Sequence, residues 1–231
     1  SGIRDSRLIP IAQKVLESQR LNIDDGLLLY QTEDLPTLGS LANHVRQTRH
    51  GRKSYYVHSR RLSYTNICYT HCQFCAFQAK PEDPRAYVLT VEDIIQDLSS
   101  DINKGVRELH MVAGHYPKLK IEYFEDLFIK IKKKFPDIHL KVFTMVEMDY
   151  YARVSGISIE EFLDRCIAAG LESCPGGGAE IFDEEIRQKI CIGKKDANIW
   201  LNNARICHQK GLKTNCTMLY GHIEKPIHKI D

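Results

Sequence analysis

Apolar and polar positions along the chain fall into two alternating rhythms. The run Thr90-Val-Glu-Asp93 is a capping-box-like opening for a helix through Ile94, Ile95 and Leu98, and Gly105 stops it. Glu108 to Ala113 then reads as a buried strand. An amphipathic helix is predicted from Tyr123 to Phe135, ending before Pro136, with a strand from His139 to Met145 after it. Ser158-Ile-Glu-Glu161 caps a further helix that stops at Gly170, and Leu171 begins a short strand. Asp196 caps a last helix that stops at Gly211 before a strand from Lys213 to Tyr220. With Leu62 to Asn66 as the first, about five strands are expected. A helix ending in Gly with a strand close behind, repeated three times, is a βαβ series, which favours a parallel barrel or doubly wound sheet.

The first sixty residues read differently. Pro10 suits a first helical turn before Ile11, Val15 and Leu16, and Pro36 precedes Leu38, Leu41, Ala42 and Val45, closing at Gly51. No Ser/Gly-rich linker follows. The expectation is therefore an N-terminal helical extension over 1–60 and an α/β domain over 61–231. A complete (βα)8 barrel takes about 250 residues. Residues 61–231 are therefore expected to form a partial TIM-type barrel, truncated before its last strands.

Composition narrows the function. The 231 residues carry 32 basic and 30 acidic side chains, a net charge of +2. That balance argues against a nucleic-acid surface as the main role, and the run Lys130-Ile-Lys-Lys-Lys134 reads as a solvated helix face. No apolar run approaches the roughly 18 residues of a membrane span, and no signal peptide opens the sequence. A cytoplasmic, reducing location with no membrane partner is expected. The Asn215-Cys-Thr217 sequon is discounted accordingly.

Eight cysteines remain to be explained, and three of them, Cys68, Cys72 and Cys75, crowd into one segment. That segment follows a predicted strand and so lies at the rim where βα barrels build their sites. Three thiolates suit soft metals, either zinc or an iron–sulfur cluster. Structural zinc normally takes four ligands, and His71 is the candidate fourth. A four-iron cluster on three cysteines would leave one iron open to a substrate or cofactor. Cys166, Cys174, Cys191, Cys207 and Cys216 read as small core residues. Packing accounts for Tyr55 and Tyr56 as well as any substrate role does.

The CxxxCxxC spacing, with Phe74 before the third cysteine, resembles the cluster motif of the radical S-adenosylmethionine (SAM) superfamily, and the βα repeat after it weighs against zinc. The resemblance implies a 4Fe-4S cluster on Cys68, Cys72 and Cys75, with SAM on its open iron and Phe74 beside the cofactor. In Met111-Val-Ala-Gly114-His115, a glycine at a strand end admits close backbone approach, and the superfamily places a glycine-rich stretch here against the methionine moiety. Ala113 stands where a second glycine is expected, so Gly114 is the cofactor contact and His115 a candidate substrate donor. The three glycines of Cys174-Pro-Gly-Gly-Gly-Ala-Glu180 lack the Lys-Ser/Thr of a P-loop. They permit a turn that presents Glu180, which with Arg187 is a candidate to hold SAM; a helix-start Glu and a surface ion pair are the alternative. Thr217-Met-Leu-Tyr220-Gly221-His222 resembles an adenine-binding strand end, with Tyr220 as the contact.

Taken in order, Thr-Asn-Ile-Cys, Phe-Cys-Ala-Phe, Lys141-Val-Phe-Thr-Met-Val-Glu147, Pro-Gly-Gly-Gly-Ala-Glu-Ile-Phe and Thr-Met-Leu-Tyr-Gly-His-Ile-Glu resemble the aminofutalosine (aminodeoxyfutalosine) synthase family of menaquinone biosynthesis. Single motifs are shared with cyclic dehypoxanthine futalosine synthases and F420-precursor synthases. The resemblance implies a transferase that adds the 5′-deoxyadenosyl radical of SAM to 3-((1-carboxyvinyl)oxy)benzoate, giving 6-amino-6-deoxyfutalosine. It also implies an electron donor such as flavodoxin or ferredoxin. The two substrate carboxylates want cationic or N–H donors, for which His115, Lys141 and His222 are candidates. Lys141 and Glu147, six apart, would share one face of a regular strand. A non-catalytic, metal-stabilised binding module is the alternative from another class.

Overall fold

The computed structural model describes residues 2–102, 104–194 and 196–230. The chain divides into two compact units, Ser1–Tyr56 with Gly221–Asp231, and Val57–Tyr220. The first holds helices α1 (Ile9–Leu16), α2 (Ile23–Gln31) and α3 (Leu35–His50), with the short α10 (Ile227–Ile230). Asn22 and Asp25 close a reciprocal capping box at the start of α2, a helix boundary the sequence reading passed over. Only Leu8, Ile11, Ala12, Thr32 and Asp34 are buried among its described residues.

The second unit begins with β1 (Ser59–Leu62) and the short β2 (His71–Cys72), then α4 (Val91–Ile102), β3 (Glu108–Met111) and α5 (Ile121–Lys134). It continues through β4 (His139–Val142), α6 (Met145–Ser155), α7 (Ile159–Ala169), β5 (Ser173–Cys174), α8 (Glu184–Ile190), β6 (Cys191–Ile192), α9 (Ala197–Gln209) and β7 (Lys213–Thr214). Five strands form one parallel sheet in the order β1-β3-β4-β5-β7. The sheet is open at β1 and β7, so this is the partial α/β barrel that the pattern predicts.

Its core lies between the sheet and its helices. Leu109, Met111, Leu140 and Val142 point into it, and Phe124 stacks edge-on against Tyr64, Phe143 and Tyr151 at centroid distances of 5.3, 4.7 and 4.7 Å. Each such fully buried side chain contributes about 1.5–3 kcal/mol by its removal from water. The predicted caps operate. Thr90 and Asp93 bond reciprocally, the Ser158 hydroxyl accepts from the Glu161 amide, and Asp196 accepts from Ile199.

Several boundaries move. The first strand ends at Leu62, where it was expected to begin, because Thr65 and Asn66 leave the sheet to bond the carbonyls of Tyr87 and Arg85. The strand predicted to reach Met145 ends at Val142, because Thr144 and Glu147 form a capping box that starts α6. Glu147 therefore sits on a helix, and its expected strand-face partnership with Lys141 is corrected. Further elements lie outside the predicted series. Asp183 caps α8, and β6 pairs antiparallel with β2, setting Cys191 opposite Cys72. Tyr55 and Tyr56 are exposed rather than packed, and Cys216 is exposed rather than a core residue.

Candidate functional site

Local hydrogen bonding shapes the cysteine loop before any cofactor is considered. Asn66 braces it twice, its amide donating to the Arg85 carbonyl at 2.9 Å and its Oδ1 accepting from the Tyr87 N–H at 2.9 Å. The Cys68 N–H donates to the Ala79 carbonyl, closing the loop on itself, and the Cys75 N–H donates to the Cys72 carbonyl. Thr70 Oγ1 lies 3.0 Å from Cys68 Sγ and 3.9 Å from Cys72 Sγ. Cys72 is nearly buried, Cys68 half-buried and Cys75 exposed, so the set grades from protein interior to solvent. Burial pushes the Cys72 thiol up, with Lys194 opposing and the Cys68 and Cys75 thiols adding to the rise. His71, the candidate fourth zinc ligand, is exposed with its Nδ1 3.4 Å from the Gln78 amide.

The two-stranded ribbon brings an unforeseen residue to this loop. The turn after Ile192 carries Lys194, whose ammonium is 3.0 Å from Glu180 Oε1 and 5.3 Å from the Phe74 ring centroid. Burial opposes the Lys194 charge most strongly, yet Glu180, Cys72 and Cys191 together hold its pKa above the usual lysine value. Glu180 also accepts from the Gly178 N–H at 3.1 Å and has φ of 51°, so the glycine turn and a strained backbone both aim its carboxylate. A lysine at this place carries no spacing signal relative to Cys72; only the β2–β6 pairing brings them together.

Gly114 follows β3 and lies directly against the loop: a Cβ there would overlap the Ile67 carbonyl. Its N–H donates to the Thr65 carbonyl, and its own carbonyl accepts from Tyr151 Oη at 2.6 Å. Beneath it, the buried Glu147 carboxylate accepts from Tyr64 Oη (2.9 Å), the Ala113 N–H (2.8 Å) and the Thr144 N–H (2.8 Å). Burial raises the Glu147 pKa, and these three donors, with the Thr144 hydroxyl, oppose it. One carboxylate thus ties the ends of β1, β3 and β4 together, a role its place in the sequence did not announce.

His115 is buried and stacked on Tyr150 at 4.6 Å and 11°. Burial, then Lys194 and Arg153, push its pKa down to about 3, so at neutral pH it is an uncharged imidazole. With Tyr69, Thr70, Tyr150, Arg153 and Lys194 it lines a cavity of about 110 Å³ beside the loop.

The remaining candidates scatter. Arg187 is buried, its guanidinium donating to the carbonyls of Gly178, Ala179 and Ile181. It therefore braces the turn that presents Glu180, where a grip on SAM had been expected of it. Tyr220 is exposed at the end of the second unit. His222 belongs to the first unit, its Nδ1 3.2 Å from Glu224 Oε2. Lys141 is half-buried on β4, on the sheet face opposite the core.

Among the described residues, no three His, Cys, Asp or Glu side chains converge on a single-ion site. The fit to a cluster rests on donor chemistry. Three thiols share one braced loop, electrostatically coupled, with a buried cation beside them to offset thiolate charge.

The comparisons agree with this arrangement. The Radical SAM superfamily model matches residues 62–231, and the chain belongs to that superfamily. It is 46% identical over 230 residues to an aminodeoxyfutalosine synthase of Thermus thermophilus, covering 100% of this chain and 62% of that protein. It is 41% identical over 221 residues to an aminodeoxyfutalosine synthase of Streptomyces coelicolor, covering 96% of this chain and 57% of the relative. The chain thus spans about three fifths of the length of these relatives. The X-ray structure of the FeFe-hydrogenase maturase HydG from Carboxydothermus hydrogenoformans shares the fold, with a TM-score of 0.71 at 18% identity over 96% of this chain and 50% of that one. No helix among the described residues is long and apolar enough to cross a membrane.

Proposed function

We propose that this chain carries the radical SAM chemistry of an aminodeoxyfutalosine synthase, joining the 5′-deoxyadenosyl group of SAM to 3-((1-carboxyvinyl)oxy)benzoate to give 6-amino-6-deoxyfutalosine. The observation that carries this reading is the braced thiol loop of Cys68, Cys72 and Cys75, seated against Gly114 and the Glu180–Lys194 pair, in a chain 46% identical to such an enzyme. Cys68, Cys72 and Cys75 would hold a 4Fe-4S cluster, which when bound supplies the electron for reductive cleavage of SAM and an open iron to hold it.

The chain's own residues account for the rest. The absence of a side chain at Gly114 lets the backbone lie against the cysteine loop, where the methionine end of SAM would meet it. Glu180, aimed by its turn, is an acceptor for ribose hydroxyls or an ammonium, and Lys194 is a donor for a carboxylate. Arg187 positions that turn and is a positioning residue. His115, uncharged at neutral pH, donates or accepts one hydrogen bond without placing a charge beside the cofactor. The Phe74 ring faces the Lys194 ammonium at 5.3 Å, a contact that favours its charge. A small electron-transfer protein of the flavodoxin or ferredoxin class would supply the electron.

The test is anaerobic reconstitution followed by dithionite, SAM and the enol-ether benzoate, with adenosine-containing products followed by mass spectrometry. An adduct carrying both adenosyl and benzoate is expected. Free 5′-deoxyadenosine without adduct would move the chain to a hydrogen-abstracting relative such as cyclic dehypoxanthine futalosine synthase. Stoichiometric zinc with no iron would leave the metal-stabilised binding module.

A further inference from the structure

Strand alternation gives the parallel sheet two faces. Leu109, Met111, Leu140 and Val142 are buried in the core, so His110 and Lys141 point from the opposite face. The register places Arg61 beside His110 and His110 beside Lys141, and continues the row through Ser173 to Lys213. With strands about 4.8 Å apart, Arg61, His110 and Lys141 occupy a strip about 10 Å long. Their side chains have no hydrogen bond or ion pair to any described residue. They are close enough to interact: burial first, then Lys141 and Arg61, lower the His110 pKa, with Glu108 opposing. Glu108, two residues earlier on the same face, is the only carboxylate among those influences.

Parallel sheets are normally covered on both faces. Covering this one with apolar groups would bury the charged heads of Arg61 and Lys141, a cost that an anion relieves. The strip spans about the length of a benzene ring with substituents. It lies on the strands whose ends lead to the cysteine loop and to Gly114.

We propose that Arg61, His110 and Lys141 form a carboxylate-recognition row that takes a small aromatic carboxylate, Arg61 and Lys141 each donating to carboxylate oxygens with the His110 imidazole between them. Its identification with the substrate pocket rests on the reading above; recognition of the carboxylate does not.

The experiment is calorimetric titration of the full chain, without cluster or SAM, with isophthalate, an aromatic ring bearing two meta carboxylates. Saturable binding is expected, with none for the uncharged benzyl alcohol. Lys141→Met and Arg61→Met should each weaken it about tenfold or more, as loss of a charge-assisted hydrogen bond does. Lys141→Arg should stay within about threefold, since the positive charge and N–H donors remain. Lys133→Met, on the exposed face of α5, should bind as the parent does. Absence of saturable binding overturns the proposal, as does unchanged affinity in both methionine variants with native circular dichroism. Isophthalate bound through the row in a chain that makes no adenosyl adduct would overturn the proposed function and leave the row standing. An adduct formed by Lys141→Met at parental KM would do the reverse.

Discussion

Leu140 and Lys141 are neighbours in one strand and belong to different problems. Leu140 faces α-helices and is fully buried among Leu109, Val142 and aromatic rings. Lys141 faces the other way, in register with His110 and Ser173, and is half-buried. The first face is apolar along β3 and β4 and holds the sheet to its helices; the second carries Arg61, His110 and Lys141 across β1, β3 and β4. The same backbone thus separates stability from chemistry by a single residue of alternation.

The contrast can be broken or sharpened by substitution. The largest effect belongs to the loop that the sheet carries. Cys72→Ala should abolish iron loading and product formation while circular dichroism stays native, and retained stoichiometric iron would exclude Cys72 as a ligand. Next, Leu140→Ala should lower stability by about 2–5 kcal/mol in urea unfolding, whereas Lys141→Met should leave stability within about 0.5 kcal/mol of the parent. Equal losses for the two would erase the distinction between the faces.

Glu147 tests whether a buried polar group can serve both purposes. Replacing its carboxylate by an amide sets an N–H₂ against the donors of Tyr64, Ala113 or Thr144, so Glu147→Gln should cost about 1–3 kcal/mol. The shift of Ala113 and Gly114 should also weaken SAM binding to the reconstituted protein. Unchanged stability would show that the strand ends do not depend on this carboxylate.

The smallest effect is a slope. His115 has its pKa lowered to about 3 in the fold, against the ordinary histidine value of 6.5. Between those values the unfolded chain binds the proton and the folded chain does not. The neutral imidazole's contribution is therefore complete above pH 6.5 and is lost as pH falls toward 3. His115→Gln should remove up to about 1.4 kcal/mol per pH unit from the acid limb of the stability profile. An unchanged limb would place the imidazole in contact with water.

Much of this was legible before any coordinates. The caps Thr90, Ser158 and Asp196, the glycine stops and the βα alternation predicted the parallel sheet, because helix termini and strand runs are local chemistry. Even the boundary at Thr144 was written in the sequence as Thr144-Met-Val-Glu147, a capping box hidden by the apolar run before it. The three cysteines were equally plain, since their spacing puts them on one loop.

What tertiary structure alone decided is which distant residues meet. Lys194 reaches Glu180 and the cysteine loop through the short β2–β6 ribbon, two residues a side, too brief to leave a periodic signature. Arg187 turned inward to carbonyls because its helix packs against the glycine turn. Arg61, His110 and Lys141 became one row only when three strands took their register. Local composition determines each element's start, stop and buried face. Register and ribbon pairing come from long-range hydrogen bonds and shared burial, which no window of sequence contains.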